Sequence, residues 1–372
     1  MTKPEISIIC PAFNRPDELN TTIQWLRANV TIPYEFLIYD NSPEPLKECL
    51  NLQSKELYQH MGSNLGAEAR NVGVFEAKAS YILMLDDDSH PLPGAVEFAL
   101  KELSRTDESV VGLMGNIKRP CGAMESSLLP TVYQGCGVLF KTEALRRIGN
   151  IYPQDFVYYG EEYWLTMLLY KYNYTLAYCD ELKICHRSNK SKENLSRIFY
   201  YLGRNNAAIW HHFAPEKHLR KILYDSQRRY ELIAKNEGVE TSFYQGLSDA
   251  IKYNTEARLT DEQFRSFSLL DKFDEGLNGH PPKKVALCGT GKFPSFWADY
   301  LKGYGIEDVK VFDFNKGLAG HAIGEYEIES ESHIERSLDD GYTPIVGHSS
   351  IVDANKWKMR LIDTGVTPVN IN

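Results

Sequence analysis

The chain has 372 residues, of which 43% are hydrophobic and 24% charged, with a formal net charge of -9 at pH 7. That is room for two or three domains of ordinary globular composition, and the acidic balance argues against a general nucleic-acid binder, which needs a basic surface against phosphates. No apolar run approaches the roughly 20 residues of a membrane span. Strand-like sequence from Ile6 leaves no signal peptide, and seven unpatterned cysteines read as reduced, cytoplasmic thiols.

Ile6 to Cys10 is an apolar β run that Pro11-Ala12-Phe13-Asn14-Arg15-Pro16 should break, and Asp17 can cap a helix to about Asn29. Glu35 to Tyr39 is a second strand, ending in the polar Asp40-Asn41-Ser42-Pro43, a ligand edge or an Asx turn. Asn64 to Asn71 opens a helix to about Lys78. Tyr81 to Leu85 is a third strand, and Asp86-Asp87-Asp88 follows, with Pro91 and Pro93 expected to stop it. Clustered carboxylates cost several kcal/mol to bury without compensation. A divalent cation carrying a diphosphate is one compensation, and a solvated acidic turn avoids the cost. The β-α-β-α-β alternation implies a parallel sheet with helices on both faces, and the unusual polar residues all fall after strands, on its ligand-binding edge.

Val110 to Asn116 is a further strand, and 118–130 a loop that could cover a ligand. Val132 to Lys141 contains Gly135-Cys136-Gly137, small residues that allow close approach. Thr142 caps a short helix, and Glu161-Glu162 open another, to about Tyr172. Two acids there suit a helix dipole or supply a general base. Thr175 to Tyr178 and Lys183 to Cys185 are short strands, the second ending at His186. Helices are expected over 194–213, 215–235 and 261–273. Their Arg204, His211, His212, Lys217, His218, Arg220 and Lys221 form either a solvated face or a membrane-surface patch. A linker over 276–282 precedes a second β-α-β unit from Lys284. It has a Gly289-Thr290-Gly291 turn, Pro294 in place of a third glycine, and Asp313 after the next strand.

These marks, taken together, resemble glycosyltransferase family 2 with its GT-A fold: Ile8 to Arg15, Tyr39 to Ser42, Asn64 to Asn71, Leu85 to Asp88, Gly135 to Phe140, Gly160 to Glu162, and His186. The helical stretch at Tyr200 to Asn205 is similar to rhamnosyltransferase-like members. The domains expected are a GT-A unit over 1–190, a helical region and linker over 191–280, and a Rossmann-like α/β domain over 281–372. The resemblance implies an inverting transfer from a nucleotide-diphosphate sugar, with Mn²⁺ or Mg²⁺. Pro11, Phe13, Arg15, Asp40, Arg70, Asp86 and Asp87 would line the donor, Asp88 and His186 would hold the metal, and Glu162, beside Glu161, would be the base. Trp164 stands where related members often carry Asp. A UDP- or dTDP-sugar is the expected donor and a glycan or lipid-linked molecule the acceptor, in surface polysaccharide synthesis at the cytoplasmic face of a membrane, with self-association open. The rival readings are a nucleotidyltransferase and a non-catalytic nucleotide-sugar-binding module.

Overall fold

The computed structural model describes residues 3–154, 156–187, 194–252, 257–277, 281–289, 291–347 and 349–370. Residues 191–193, residues 278–280 of the expected linker, and Thr290 lie outside them. The chain divides into two compact units, one of 1–125 and 133–193, the other of 126–132 and 194–372.

The first unit is built on β1 (Ile6–Ala12), α1 (Pro16–Asn29), β2 (Tyr34–Asp40), β3 (Glu56–His60), α2 (Ala69–Glu76), β4 (Tyr81–Met84), β5 (Ser89–Pro91) and α3 (Ala95–Leu103). It continues with β6 (Val110–Lys118), β7 (Met124–Glu125), β8 (Val138–Lys141), α4 (Thr142–Ile148), α5 (Glu161–Lys171) and β9 (Thr175–His186). The strand order is β3-β2-β1-β4-β8-β6-β9-β5, with β7 on β6. Strands β3, β2, β1 and β4 run parallel as the alternation predicts. The all-parallel expectation fails beyond them, because β8 lies antiparallel between β4 and β6, and β5 antiparallel on β9.

Successive side chains of a strand point to opposite faces. Ile6, Ile8, Cys10 and Ala12 therefore bury one face with Leu19, Ile23 and Leu26 of α1, while Ile9 joins Leu37, Ile82, Met84 and Val74 on the other. Pro11 does not end β1, which pairs with β2 out to Ala12 but with β4 only to Ile9. Ile9 O faces β4, so the missing N–H of Pro11 falls past the end of that ladder. Pro91 likewise sits in an edge strand, where proline is tolerated. The 118–130 loop folds back as β7, pairing Ile117 with Glu125. The two short strands expected near 180 are one, β9, with an irregular register opposite Gly115 and Asn116.

The second unit holds α6 (Leu195–Phe213), α7 (Glu216–Asn236), α8 (Glu240–Ser248), α9 (Asp261–Ser268) and α10 (Leu270–Gly276). A second sheet follows, of β10 (Lys284–Cys288), α11 (Pro294–Lys302), β11 (Asp308–Asp313), β12 (Ala322–Ile323), β13 (Tyr326–Ser330), α12 (Ile334–Asp339), β14 (Thr343–Val346), α13 (Ile351–Asp363) and β15 (Val369–Asn370). The helix expected over 261–273 is cut at Leu269, whose φ of 58° no helix accommodates. Strand order β12-β13-β11-β10-β14-β15 is parallel from β13 to β15, a doubly wound arrangement. Its core packs Cys288, Phe312 and Val346 on Trp357 and Leu361 of α13. Within this unit Lys217 pairs with Asp261 and Lys221 with Asp299, so part of the basic stretch is neutralised locally. Among the described residues no helix is long and apolar enough to cross a membrane.

Candidate active site

The acidic triplet turns between β4 and β5, and the pairing of β5 with β9 assembles the site. Ser89 stands opposite His186, which brings the end of β9 beside Asp88. The Arg187 N–H donates to Asp88 O at 2.9 Å and extends that register. His186 Nε2 lies 3.2 Å from Asp88 Oδ1. His186 Nδ1 donates to Glu125 Oε2 at 2.7 Å, and Arg119 holds the other Glu125 oxygen. A carboxylate on Nδ1 fixes the orientation of the ring, the usual support for a metal-ligating histidine, and turns Nε2 toward Asp88. Burial pulls the His186 imidazole down, but its bonds to Asp88, Cys136 and Glu125 outweigh that and hold it well above the ordinary value.

Asp87 and Asp88 are 1% and 3% exposed. Arg15, from the β1–α1 loop, spans both. Its Nη1 donates to Asp88 Oδ2 at 2.6 Å, Nε to Asp87 Oδ2 at 3.3 Å, and Nη2 to Asp87 Oδ1. The Phe13 N–H also reaches Asp87 Oδ2, at 3.3 Å. Burial still pushes the Asp87 carboxyl up to about 7, against the pull of Arg15. For Asp88 burial acts the same way, but His186 and Arg15 prevail and take it down to about 2. Apart from this ion pair with His186, the buried Asp88 Oδ1 has no hydrogen-bond partner among the described residues.

Asp86 is the solvent-facing member, its side chain 34% exposed, and Arg70 Nη2 donates to it at 2.5 Å. Arg70 is buried on α2 and stays charged through Asp86 despite desolvation. Asp40, Phe13 and Pro11 lie along the same edge. Phe13 is 40% exposed, whereas Asp40 is fully buried and takes donors from Ser42 N, Leu46 N and Tyr58 Oη, the Asx-turn arrangement.

Glu161 and Glu162 start α5. A Cβ on Gly135 would stand 3.2 Å from Glu162 Oε1, so the glycine makes room for that carboxylate. The Glu161 Oε2 atom is buried without a hydrogen-bond partner. Both carboxyls are held above their ordinary value, Glu161 by burial and then by Glu162, Glu162 by burial with Arg70 opposing. The loop before α5 is fixed by Asn71, which accepts from Ile151 N and Tyr152 N, each at 3.0 Å, and donates to Tyr152 O. Trp164 is buried edge-on against Phe156, 5.3 Å between centroids.

Three contributors escaped the sequence reading: Glu125, Cys136 and Arg187. Glu125 and Arg187 touch the site only through strand pairing, which leaves no local trace. Cys136 carried a visible signal, a thiol between two glycines.

Residues 7–142, a little over a third of the chain, match the model of Glycosyl transferase family 2. The uncharacterized glycosyltransferase YwdF of Bacillus subtilis (strain 168) is 30% identical over 111 residues, 28% of this chain and 40% of that protein. An uncharacterized glycosyltransferase of Rickettsia bellii (strain RML369-C) is 25% identical over 154 residues, 37% of this chain and 22% of that protein. The matches thus span less than half of either relative. Among solved structures, GalNAc-T7 with UDP, GalNAc and Mn²⁺ superposes with a TM-score of 0.52 at 11% identity, covering 76% of this chain and 59% of that one. The fold is the GT-A arrangement of glycosyltransferases, followed by further α/β structure.

Proposed function

We propose that the chain is an inverting, divalent-metal-dependent glycosyltransferase. It moves a sugar from a nucleotide-diphosphate donor, a UDP- or dTDP-sugar, to a hydroxyl of a glycan or lipid-linked acceptor. The observation that carries this reading is the buried Asp88 Oδ1, set 3.2 Å from an imidazole nitrogen whose ring is oriented by Glu125 on its far side. A carboxylate oxygen and an imidazole nitrogen suit Mn²⁺, and Mg²⁺ is the harder alternative. The Mn²⁺ in the GalNAc-T7 structure is in keeping with this. Asp88 and His186 would hold the ion, which when bound neutralises charge developing on the departing diphosphate.

This chain's own groups do the rest. Arg15 offers a guanidinium to phosphate oxygens from the lip of the site. Asp86, steadied by Arg70, accepts hydrogen bonds from ribose or sugar hydroxyls. Pro11 and Phe13 border the nucleotide, and Asp40 braces the Ser42–Leu46 turn beside the base. Glu162 takes the proton of the attacking hydroxyl. Its raised affinity for a proton suits a base near neutral pH, since the ideal catalytic pKa lies near the operating pH. Surface polysaccharide assembly at the cytoplasmic face of a membrane is the setting this chemistry suits.

The test is a pair of variants. Asp88→Asn should abolish transfer and the dependence of nucleotide binding on Mn²⁺. Glu162→Gln should lower turnover by at least about 100-fold, the usual contribution of a general base, while UDP binding measured by calorimetry is retained. Full transfer by either variant would end the assignment.

A further inference from the structure

We propose that Asp86, Cys136 and His186 form a binding site for a soft divalent cation, Zn²⁺ foremost, and that zinc there shuts out the harder ion of the donor site. The second half rests on the transferase reading, because the two sites share His186. One ligand atom from each of the three side chains lies within 4.8 Å of the other two. Tetrahedral zinc, about 2.3 Å from sulfur and about 2.0–2.1 Å from nitrogen or oxygen, spaces its ligand atoms roughly 3.3–3.7 Å apart. Side-chain adjustments of about 1 Å close that gap, and a water completes the tetrahedron.

The thiol is held in place by its neighbours. Gly137 N–H donates to Met84 O at 2.7 Å, and Gly115 N–H to Gly137 O at 2.9 Å, pinning the segment between β4 and β6. At Gly137 φ is 112°, and a Cβ would come within 2.6 Å of Ile184 Cγ1, so this backbone path is open to glycine alone. His186 comes already oriented by Glu125, the outer partner a ligating imidazole needs. Asp86 gives one oxygen to Arg70 and keeps the other for a ligand.

Soft thiolate selects zinc over manganese and magnesium, and the general stability order of divalent ions also favours zinc over manganese. Binding forms a Zn–S, a Zn–N and a Zn–O bond and releases the Cys136 thiol proton and the His186 Nε2 proton to solvent, with no change of oxidation state. A donor site built for a hard ion would thereby carry its own trap for a soft one.

The experiment titrates the full chain, without nucleotide, with Co²⁺ as a spectroscopic stand-in for zinc. The wild type should show a thiolate-to-cobalt charge-transfer band that Zn²⁺ abolishes. Cys136→Ser should lose the band and bind Zn²⁺ at least about 100-fold more weakly, since even outer partners of a ligand are worth 10- to 100-fold. Cys136→Ala serves if the serine fails to fold. Absence of the band in the wild type, or its survival in the variants, overturns the site. Electron paramagnetic resonance of Mn²⁺ with UDP tests the exclusion. One equivalent of Zn²⁺ should release Mn²⁺ from the wild type and not from Cys136→Ser, and failure to release it overturns that half. An intact cobalt band with no Mn²⁺–UDP binding would sink the transferase reading and leave the zinc site standing.

Discussion

Two dry carboxylates side by side are costly to bury, and Arg15 is the cation that makes them tolerable. Removing one partner of a buried pair leaves an uncompensated charge and costs about 3–5 kcal/mol. The Arg15 side chain is 48% exposed, so water recovers part of that. Arg15→Gln should therefore destabilise by about 2 kcal/mol, read as a lower thermal midpoint. Adding Asp87→Asn should return most of the loss, because Asp87 is the acid most buried by the triplet turn and already pushed up to about 7, chiefly by burial. Equal midpoints for the wild type and Arg15→Gln would show that Arg15 is not the counter-charge. Of these residues the sequence showed the types, three acids after an apolar run, and not which of them is buried. The family resemblance set Asp88 beside His186, but Asp86 open and Asp87 clamped by Arg15 follow from a turn and a strand register that spacing does not encode.

At the scale of elements, apolar strand runs and the helices after them were legible, as β1, β2, β4 and α1 show. The expected caps were not: α1 starts at Pro16 and α4 at Thr142, so Asp17 and Thr142 lie inside their helices and neither helix has a side-chain cap. What else escaped was set by partners distant in sequence. Glu56 to His60 is too short and polar to read as β3 without β2 beside it, and the Asp180–Leu182 irregularity made β9 look like two strands. Helix α11 gives a testable case of such distant support. Its entry at Phe293–Pro294 has no side-chain cap of its own. Asp225 of α7 supplies one, accepting from Phe296 N at 2.8 Å and from Ser295 Oγ. Burial lifts this carboxyl to about 6 against a usual 3.8, with the two hydrogen bonds opposing. The folded state thus holds the proton more tightly than the unfolded one. The stabilisation is full below about pH 4 and is lost as pH rises to about 6, by about 3 kcal/mol in all. Asparagine keeps an acceptor and a donor but does not ionise. The stability of Asp225→Asn relative to wild type should therefore improve by about 2.5 kcal/mol between pH 4 and pH 7, measured by thermal melts across that range. A pH-independent difference would mean that Asp225 does not titrate in this window.

At the scale of the whole molecule, two sheets could each receive a nucleotide, and the proposed function puts it on the first. The first sheet carries the buried carboxylate paired with an oriented imidazole, with Arg15 from the β1–α1 loop and Arg70 of α2 beside it. The doubly wound second sheet has the glycine turn at Gly289 and Gly291, but its acid, Asp313, is spent on Arg229 at 3.1 Å and on Asn315 N at 2.8 Å. A ligand that binds only the folded form stabilises by mass action, about 2.7 kcal/mol at 100 times its Kd. Amide exchange that requires opening of the liganded unit should slow in proportion. UDP with Mn²⁺ should therefore slow exchange about 100-fold in the central amides of β1, β2 and β4, read by mass spectrometry of peptic fragments. Fragments of β10, β11 and β14 report on the second sheet in the same sample. Protection confined to those fragments would put the nucleotide on the second sheet, and Asp88 and His186 would then have no claim to the donor.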